Sequence, residues 1–247
     1  MSLRQSPWQQ RWPAALAGAL LPCSCALCHI GCDGPVCAGC QDRYAPPRLA
    51  CCKRCANPMA APDARWECGA CQSGQPAFDA TVAAAEYAAP LDQLVLELKF
   101  GGMLAIAPWF ARMMGAAVVA RAGFELPNIL CPVPLGPGRL VERGFNQALE
   151  IAKPLSKRLG IPLKAALAIR AQDTAAQSSV APAQRRRNIR NAFIVAPDAL
   201  ALVRGQHIGV VDDVMTSGAT LHELAATFKR FGAARVSNFV FARTPPH

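Results

Sequence analysis

A chain of 247 residues with 26 Lys+Arg against 16 Asp+Glu carries a formal charge of +10, with 52% apolar and 17% charged residues. One domain takes roughly 100–200 residues, so this length suits an ordinary domain plus a small module, and the apolar content excludes a disordered or acidic solvating chain. The longest membrane-like run, Trp12–Pro22, is about half of the ~20 apolar residues that a spanning helix requires, which argues against a transmembrane protein.

Residues 1–22 read as a short amphipathic N-terminal helix. Arg4 and Arg11 ahead of Ala14–Leu21 superficially resemble a signal peptide, but the stretch is short, ends at Pro22 and runs straight into cysteines. Residues 23–76 are rich in Gly, Pro and Cys and show little periodicity. Eleven of the 12 cysteines lie between Cys23 and Cys71, and they include four Cys-x-x-Cys pairs: Cys25/Cys28, Cys37/Cys40, Cys52/Cys55 and Cys68/Cys71. Two intervening residues let a tight turn aim both sulfurs at one ion, so four such knuckles supply ligands for two tetrahedral zinc ions. Disulfides or redox-active pairs are the alternatives, and repeated short spacing favours them less. Metal binding supplies the folding free energy that so small a core lacks. The spacing leaves open whether the knuckles pair consecutively or the first with the third; Cys23, Cys32 and Cys51 read as spare thiols. Eight thiolates and two Zn²⁺ bring the charge to about +6, so the basic balance is only suggestive of nucleic acid. An oxidising compartment would threaten these thiolates, which points to the cytoplasm.

After Pro76 the texture changes. Phe78–Tyr87 reads as a strand, Leu91–Phe100 as a helix with apolar residues at 91, 94, 95 and 98, and Leu104–Ala122 as a second helix. Asn128–Cys131 suits a buried strand stopped by Pro132 and Pro134, and Gly144–Leu159 is helical in pattern. Leu163–Ile169 and Phe193–Val195 are weaker strands, flanking a long loop, Ala171–Asn191, of the kind that often serves as a lid. His207–Val211 is a strong strand, Leu221–Phe231 a helix and Arg235–Ala242 a closing strand. Strands alternating with helices predict an α/β fold: a parallel sheet flanked by helices, with ligands at the C-terminal rim of the strands.

The chemistry concentrates in Ile208–Thr220, IGVVDDVMTSGAT. A buried strand ends in Asp212 and Asp213, and a short loop through Thr216, Ser217, Gly218, Ala219 and Thr220 enters a helix. Small and hydroxyl residues at a helix N-terminus let backbone N–H groups face a phosphate, aided by the helix dipole. Paired acids can accept hydrogen bonds from neighbouring ribose hydroxyls and help hold Mg²⁺. A sugar phosphate is the ligand this combination suits. No Gly-x-x-x-x-Gly-Lys-[Ser/Thr] occurs, which excludes a P-loop, and Gly136-Pro137-Gly138 lacks the third glycine of a dinucleotide fingerprint.

VVDDVMTSGAT resembles the phosphoribosyl-pyrophosphate motif of type I phosphoribosyltransferases. The rest resembles the ComF family, competence-associated proteins of that type with an N-terminal double zinc ribbon. Further stretches carry the likeness: the Cys-x-x-Cys pairs, Leu98-Lys99-Phe100 with Gly102, Pro132-Val133-Pro134-Leu135 with Arg139 and Arg143-Gly144-Phe145-Asn146-Gln147, and Asp173-Thr174 with Gln177 leading to Arg185, Arg186, Arg187, Asn188 and Phe193. Val180 and Met103 depart from the family pattern. The resemblance implies a zinc ribbon over 23–76 and a type I phosphoribosyltransferase-like domain over 77–247. It further implies that Asp212 and Asp213 contact the ribose 2′- and 3′-hydroxyls and that the 216–220 loop holds the 5′-phosphate. Lys99, Arg139, Arg143 and Arg185–Arg187 are then candidate donors to the departing pyrophosphate, with Mg²⁺.

Two functions follow as expectations. The first is Mg²⁺-dependent transfer of phosphoribose from phosphoribosyl pyrophosphate to an acceptor, with residues 1–76 helping to shape the acceptor pocket. The second is a single-stranded-DNA-binding accessory of natural transformation, working with competence proteins, in which the nucleotide site is regulatory.

Overall fold

The computed structural model describes residues 23–48, 50–60, 66–171 and 192–245. The expected N-terminal helix, the lid loop and Arg185, Arg186 and Arg187 lie outside the described residues. The chain divides into two compact units, Met1–Arg43 and Tyr44–His247.

In the first unit, the Cys25/Cys28 knuckle is a tight turn closed by an antiparallel bridge, Ser24 to Gly31, and the Cys37/Cys40 knuckle runs into helix α1 (Ala38–Tyr44). The second unit opens with the same device: a Cys51–Pro58 bridge, then Cys68 at the head of helix α2 (Gly69–Gly74). The backbone bonds repeat as well. Cys25 N–H meets the Ile30 carbonyl at 2.9 Å and Cys52 N–H the Asn57 carbonyl at 2.8 Å.

The rest of the second unit is built on four parallel strands, β1 (Ala80–Glu86), β2 (Ile129–Pro132), β5 (His207–Met215) and β6 (Arg235–Arg243), in the order β1-β6-β5-β2. Such a sheet is covered on both faces, so its strands are continuous apolar runs. Ile208, Val210 and Val211 of β5 and Val236, Phe239, Val240 and Phe241 of β6 are fully buried. Helices α3 (Leu91–Lys99), α4 (Ala107–Ala120), α5 (Pro137–Arg143) and α6 (Gln147–Leu159) connect β1, β2 and β5. Phe110 of α4 stacks on Phe241 with ring centroids 3.7 Å apart. A two-stranded antiparallel ribbon, β3 (Ala168–Arg170) with β4 (Phe193–Val195), precedes the short helix α7 (Leu200–Val203), and α8 (Ala219–Arg230) joins β5 to β6. Cys52, Cys55 and Cys71 belong to the same buried apolar cluster as Phe78, Met215, Leu221, Leu224 and Phe228, so the second knuckle pair is part of this core. No helix of the described residues is long and apolar enough to cross a membrane.

The observed elements revise the sequence expectation in four places. The strand expected over Leu163–Ile169 is confined to Ala168–Arg170, and Leu163 makes only an isolated bridge to Leu130. The helix expected from Gly144 begins at Gln147, because Asn146 caps it by accepting the N–H groups of Ala148 and Leu149. Helix α5 was not anticipated; it is seven residues long and buries no side chain, so it has no periodic signal. The strand expected to stop at Val211 continues to Met215, because β6 keeps pairing with it through Asp212–Val240 and Met215–Arg243. The two acids therefore sit within the strand rather than beyond its tip.

Gly209 marks the tightest strand approach. A Cβ there would lie 2.6 Å from Leu130 Cδ2, 2.7 Å from Pro127 Cγ and 2.9 Å from Phe239 Cε2. Gly209→Ala is expected to destabilise the chain by about 1–3 kcal/mol through overpacking, read as a lowered midpoint in urea unfolding.

Candidate functional site

The C-terminal half of β5 collects most of the residues singled out in the sequence. Successive strand residues leave opposite faces, so Asp212 and Asp213 have different surroundings. Asp213 is 2% exposed, and its Oδ2 lies 2.5 Å from Lys99 Nζ at the end of α3. Its Oδ1 accepts a 3.3 Å bond from Gln147 Nε2 in the first turn of α6. Gln147 is aimed from its other end, where Oε1 accepts from Arg143 Nη1 at 2.5 Å. Arg143 also lies over the ring of Phe100, 5.1 Å from its centroid. Lys99 and Arg143 thus converge on the acid pair, one directly and one through Gln147. Arg139 lies on α5, one turn before Arg143.

Asp212 is half-buried, and its Oδ1 accepts the Asp213 N–H at 2.9 Å. Burial, followed by the adjacent Asp213 charge, pushes its carboxyl well above the usual carboxylate range; Lys99 offsets this only in part.

After Met215 the chain turns through exposed Thr216 and Ser217 to Gly218. Gly218 adopts φ +77°, and a Cβ there would fall 2.5 Å from Met215 Cε, so both backbone and space call for glycine. Helix α8 follows at once. Its first internal bond is from His222 N–H to the Gly218 carbonyl, so the N–H groups ahead of it, toward Ala219 and Thr220, open onto the turn with the positive end of the helix dipole. Ser217 Oγ meets the Ala219 N–H at 3.4 Å.

Arg243, 6% exposed at the end of β6, fixes this turn from below. Its Nη1 donates to the Met215 carbonyl at 3.1 Å and also to the carbonyls of Thr216 and Thr244, while Nε donates to the Cys55 carbonyl at 3.0 Å. One guanidinium therefore joins the third cysteine knuckle to the turn after β5. Sequence reading passed over Arg243 and named Gln147 only as part of the family-like stretch, with no role in the site. Gln147 left one trace, a polar residue on the buried stripe of a capped helix; Arg243 left none.

The cysteines form two groups of four, Cys25/Cys28/Cys37/Cys40 and Cys52/Cys55/Cys68/Cys71, each with sulfurs within 4.8 Å of one another. The knuckles therefore pair consecutively. Cys28 and Cys37 sulfurs are 3.7 Å apart and Cys55 and Cys68 sulfurs 3.6 Å, close to the ~3.8 Å edge of a tetrahedron with Zn–S bonds of about 2.3 Å. Burial disfavours the Cys25 thiolate, yet the N–H groups around it, Cys37 at 3.4 Å among them, bring its pKa down to about 6. Cys71 is pushed up, mainly by its bonds to Cys52 and Cys55. Four thiols this close cannot all ionise without a cation, and both groups fit zinc. All twelve cysteines are free of disulfides.

Residues 146–246 match the phosphoribosyl transferase domain family. The chain is 35% identical to the DNA utilization protein YhgH of Salmonella typhimurium over 222 residues, 89% of this chain and 93% of that protein. It is 30% identical to competence protein F of Haemophilus influenzae, over 87% of this chain and 93% of that protein. Among solved structures, the glutamine phosphoribosylpyrophosphate amidotransferase of B. subtilis complexed with ADP and GMP overlaps 56% of this chain and 26% of its own, with 16% identity and a TM-score of 0.37.

Two outcomes test this geometry. Between the ordinary aspartate pKa and the elevated Asp212 value, the folded chain holds a proton that the unfolded chain has lost, so stability falls as pH rises through that window. Asp212→Asn is expected to abolish this fall and raise the melting temperature at neutral pH by about 2–4 °C. Arg243→Met strands several buried carbonyls and is expected to cost at least about 3 kcal/mol in urea unfolding of the zinc-loaded chain. An unchanged midpoint would mean that the guanidinium does not carry this load.

Proposed function

Because the chain belongs to the family of competence protein F and the DNA utilization protein YhgH, and because β5 runs an acid pair into a donor-lined turn, we propose that it is a phosphoribosyltransferase acting on phosphoribosyl pyrophosphate. The observation that carries the reading is the continuity of Asp212 and Asp213 with the Thr216–Thr220 turn at the head of α8. The turn suits the 5′-phosphate, since N–H donors and a helix dipole converge behind the exposed Thr216 and Ser217. Asp212, partly exposed and under-neutralised, suits the ribose hydroxyls; Asp213, held by Lys99 and Gln147, fixes the strand end beneath it.

In the reaction the bond from ribose C1 to the pyrophosphate oxygen breaks and a bond from C1 to the acceptor forms, through an oxocarbenium-like state. Negative charge collects on the departing pyrophosphate, and the described candidates to meet it are Lys99 and Arg143, which reach the acid pair directly and through Gln147, with Arg139 one turn before Arg143. Arg185, Arg186 and Arg187 are the further candidates. Asp212 offers the carboxylate for a Mg²⁺ ion, which when bound would neutralise part of the pyrophosphate charge. Phe100, 73% exposed with Arg143 across one face, offers its other face to a planar acceptor.

Single-stranded DNA is the second reading, supported by the charge of +10 and by the relatives' printed names. It predicts binding that weakens steeply with salt. The first reading is tested by titrating phosphoribosyl pyrophosphate with Mg²⁺ into wild type and Asp212→Asn. Wild type is expected to bind and the variant to lose about tenfold or more in affinity, about 1.4 kcal/mol. Equal heats from both proteins would sink it.

A further inference from the structure

A cavity of about 380 Å³ opens at the free edge of β1, two strands away from β5. Its size lies within the range of small-molecule sites. Ala116, Ala117 and Ala120 of α4 line it, as do Trp66 and the segment around the Cys52 knuckle. The floor is the edge strand itself, Thr81–Ala84.

The edge is sealed at both ends and open in the middle. Thr81 turns its peptide away from β6: its N–H meets the Lys53 carbonyl at 3.1 Å and its carbonyl accepts from Arg121 Nη1 at 2.6 Å. The Ala85 carbonyl accepts from Arg48 Nη1 at 3.3 Å. In a parallel strand alternate residues face the same neighbour, so Ala83, between these two, directs its N–H and C=O into the cavity. No described residue meets them there.

The rim is cationic. Arg48, Lys53 and Arg121 line the cavity, and no carboxylate does so among the described residues. Arg121 is fully engaged, since its Nη2 also donates to the Lys53 carbonyl at 2.6 Å. Lys53 lies 5.6 Å from the centroid of the Trp66 ring, leaving its charge at the mouth. Arg48 Nη2, by contrast, is buried without a partner among the described residues. A zinc-loaded tetrad at Cys52 carries a net −2, which leaves three cations with positive charge to spare. An unpaired buried guanidinium nitrogen beside an unpaired peptide edge costs free energy until something meets both.

From these features we infer that the cavity is a binding site for a nucleoside 5′-monophosphate. A nucleobase edge carries a donor beside an acceptor, the complement of the Ala83 peptide, and its flat ring suits the Trp66 ring and the small alanines that line the cavity. The phosphate meets Arg48 Nη2 and Lys53. This site is separate from the turn after β5, and it stands whether or not that turn holds phosphoribosyl pyrophosphate.

The test is calorimetric titration of the full, zinc-loaded chain with GMP, AMP, guanosine and inorganic phosphate. One GMP or AMP is expected to bind per chain, undisturbed by excess phosphoribosyl pyrophosphate. Ala117→Leu, which narrows the slot, is expected to weaken GMP by about tenfold or more. Arg48→Met is expected to weaken GMP while leaving guanosine unchanged; should that variant not fold, Ala117→Leu decides alone. The inference is overturned by absence of nucleotide binding, by equal affinity in Ala117→Leu, by displacement with phosphoribosyl pyrophosphate, or by inorganic phosphate binding as tightly as GMP.

Discussion

Buried charge in the second unit has to be met by something other than water, and the Arg243 guanidinium shows how. Among the described residues it has no carboxylate partner; it is held instead by carbonyls of Cys55, Met215, Thr216 and Thr244. Those carbonyls come from a cysteine knuckle, from the end of β5 and the turn after it, and from the residue past β6, so one side chain ties a cysteine group to a ligand-facing turn. The turn can then remain short, exposed and glycine-dependent without support from neighbours of its own. Burial depresses the Arg243 pKa, and the Cys55 sulfur close by works against that. Zinc at this tetrad would make it both a folding constraint and a compensating negative charge beside Arg243.

The acid pair follows the opposite logic. Asp213 is neutralised by Lys99 and oriented by Gln147, whereas Asp212 is left partly buried beside a like charge. Such an arrangement destabilises the fold at neutral pH and is typical of a site whose ligand supplies the missing interactions. The chain Phe100–Arg143–Gln147–Asp213 extends the same network to the rim, so a change at Arg143 reaches β5 through the Gln147 amide as well as through its own charge.

How much could be read beforehand depended on how local each signal was. The Cys-x-x-Cys spacing is complete within four residues, and the two groups it implied are present, although their pairing needed the three-dimensional arrangement. The apolar run of β5 and the small residues after it gave the strand, the turn and the helix. The end of β5 was misjudged because Asp212 and Asp213 look like strand terminators, while pairing with β6 holds them in register to Met215. Lys99 was recognised as a cation at a helix end, but its partner lies more than a hundred residues away. Arg243 was invisible for the same reason: nothing near it in sequence announces Cys55, 188 positions earlier.

The edge of β1 carries one more consequence, for the life of the chain before it matures. An uncovered parallel strand is a template for aggregation, and here Arg48, Lys53 and Arg121 shield it, two of them from the segment that holds the Cys51–Pro58 bridge. The cysteine tetrad of that segment fits zinc. A newly synthesised chain starved of the ion would then keep a sticky border on its sheet, and metal supply would bear not only on folding but on whether the chain stays dispersed meanwhile.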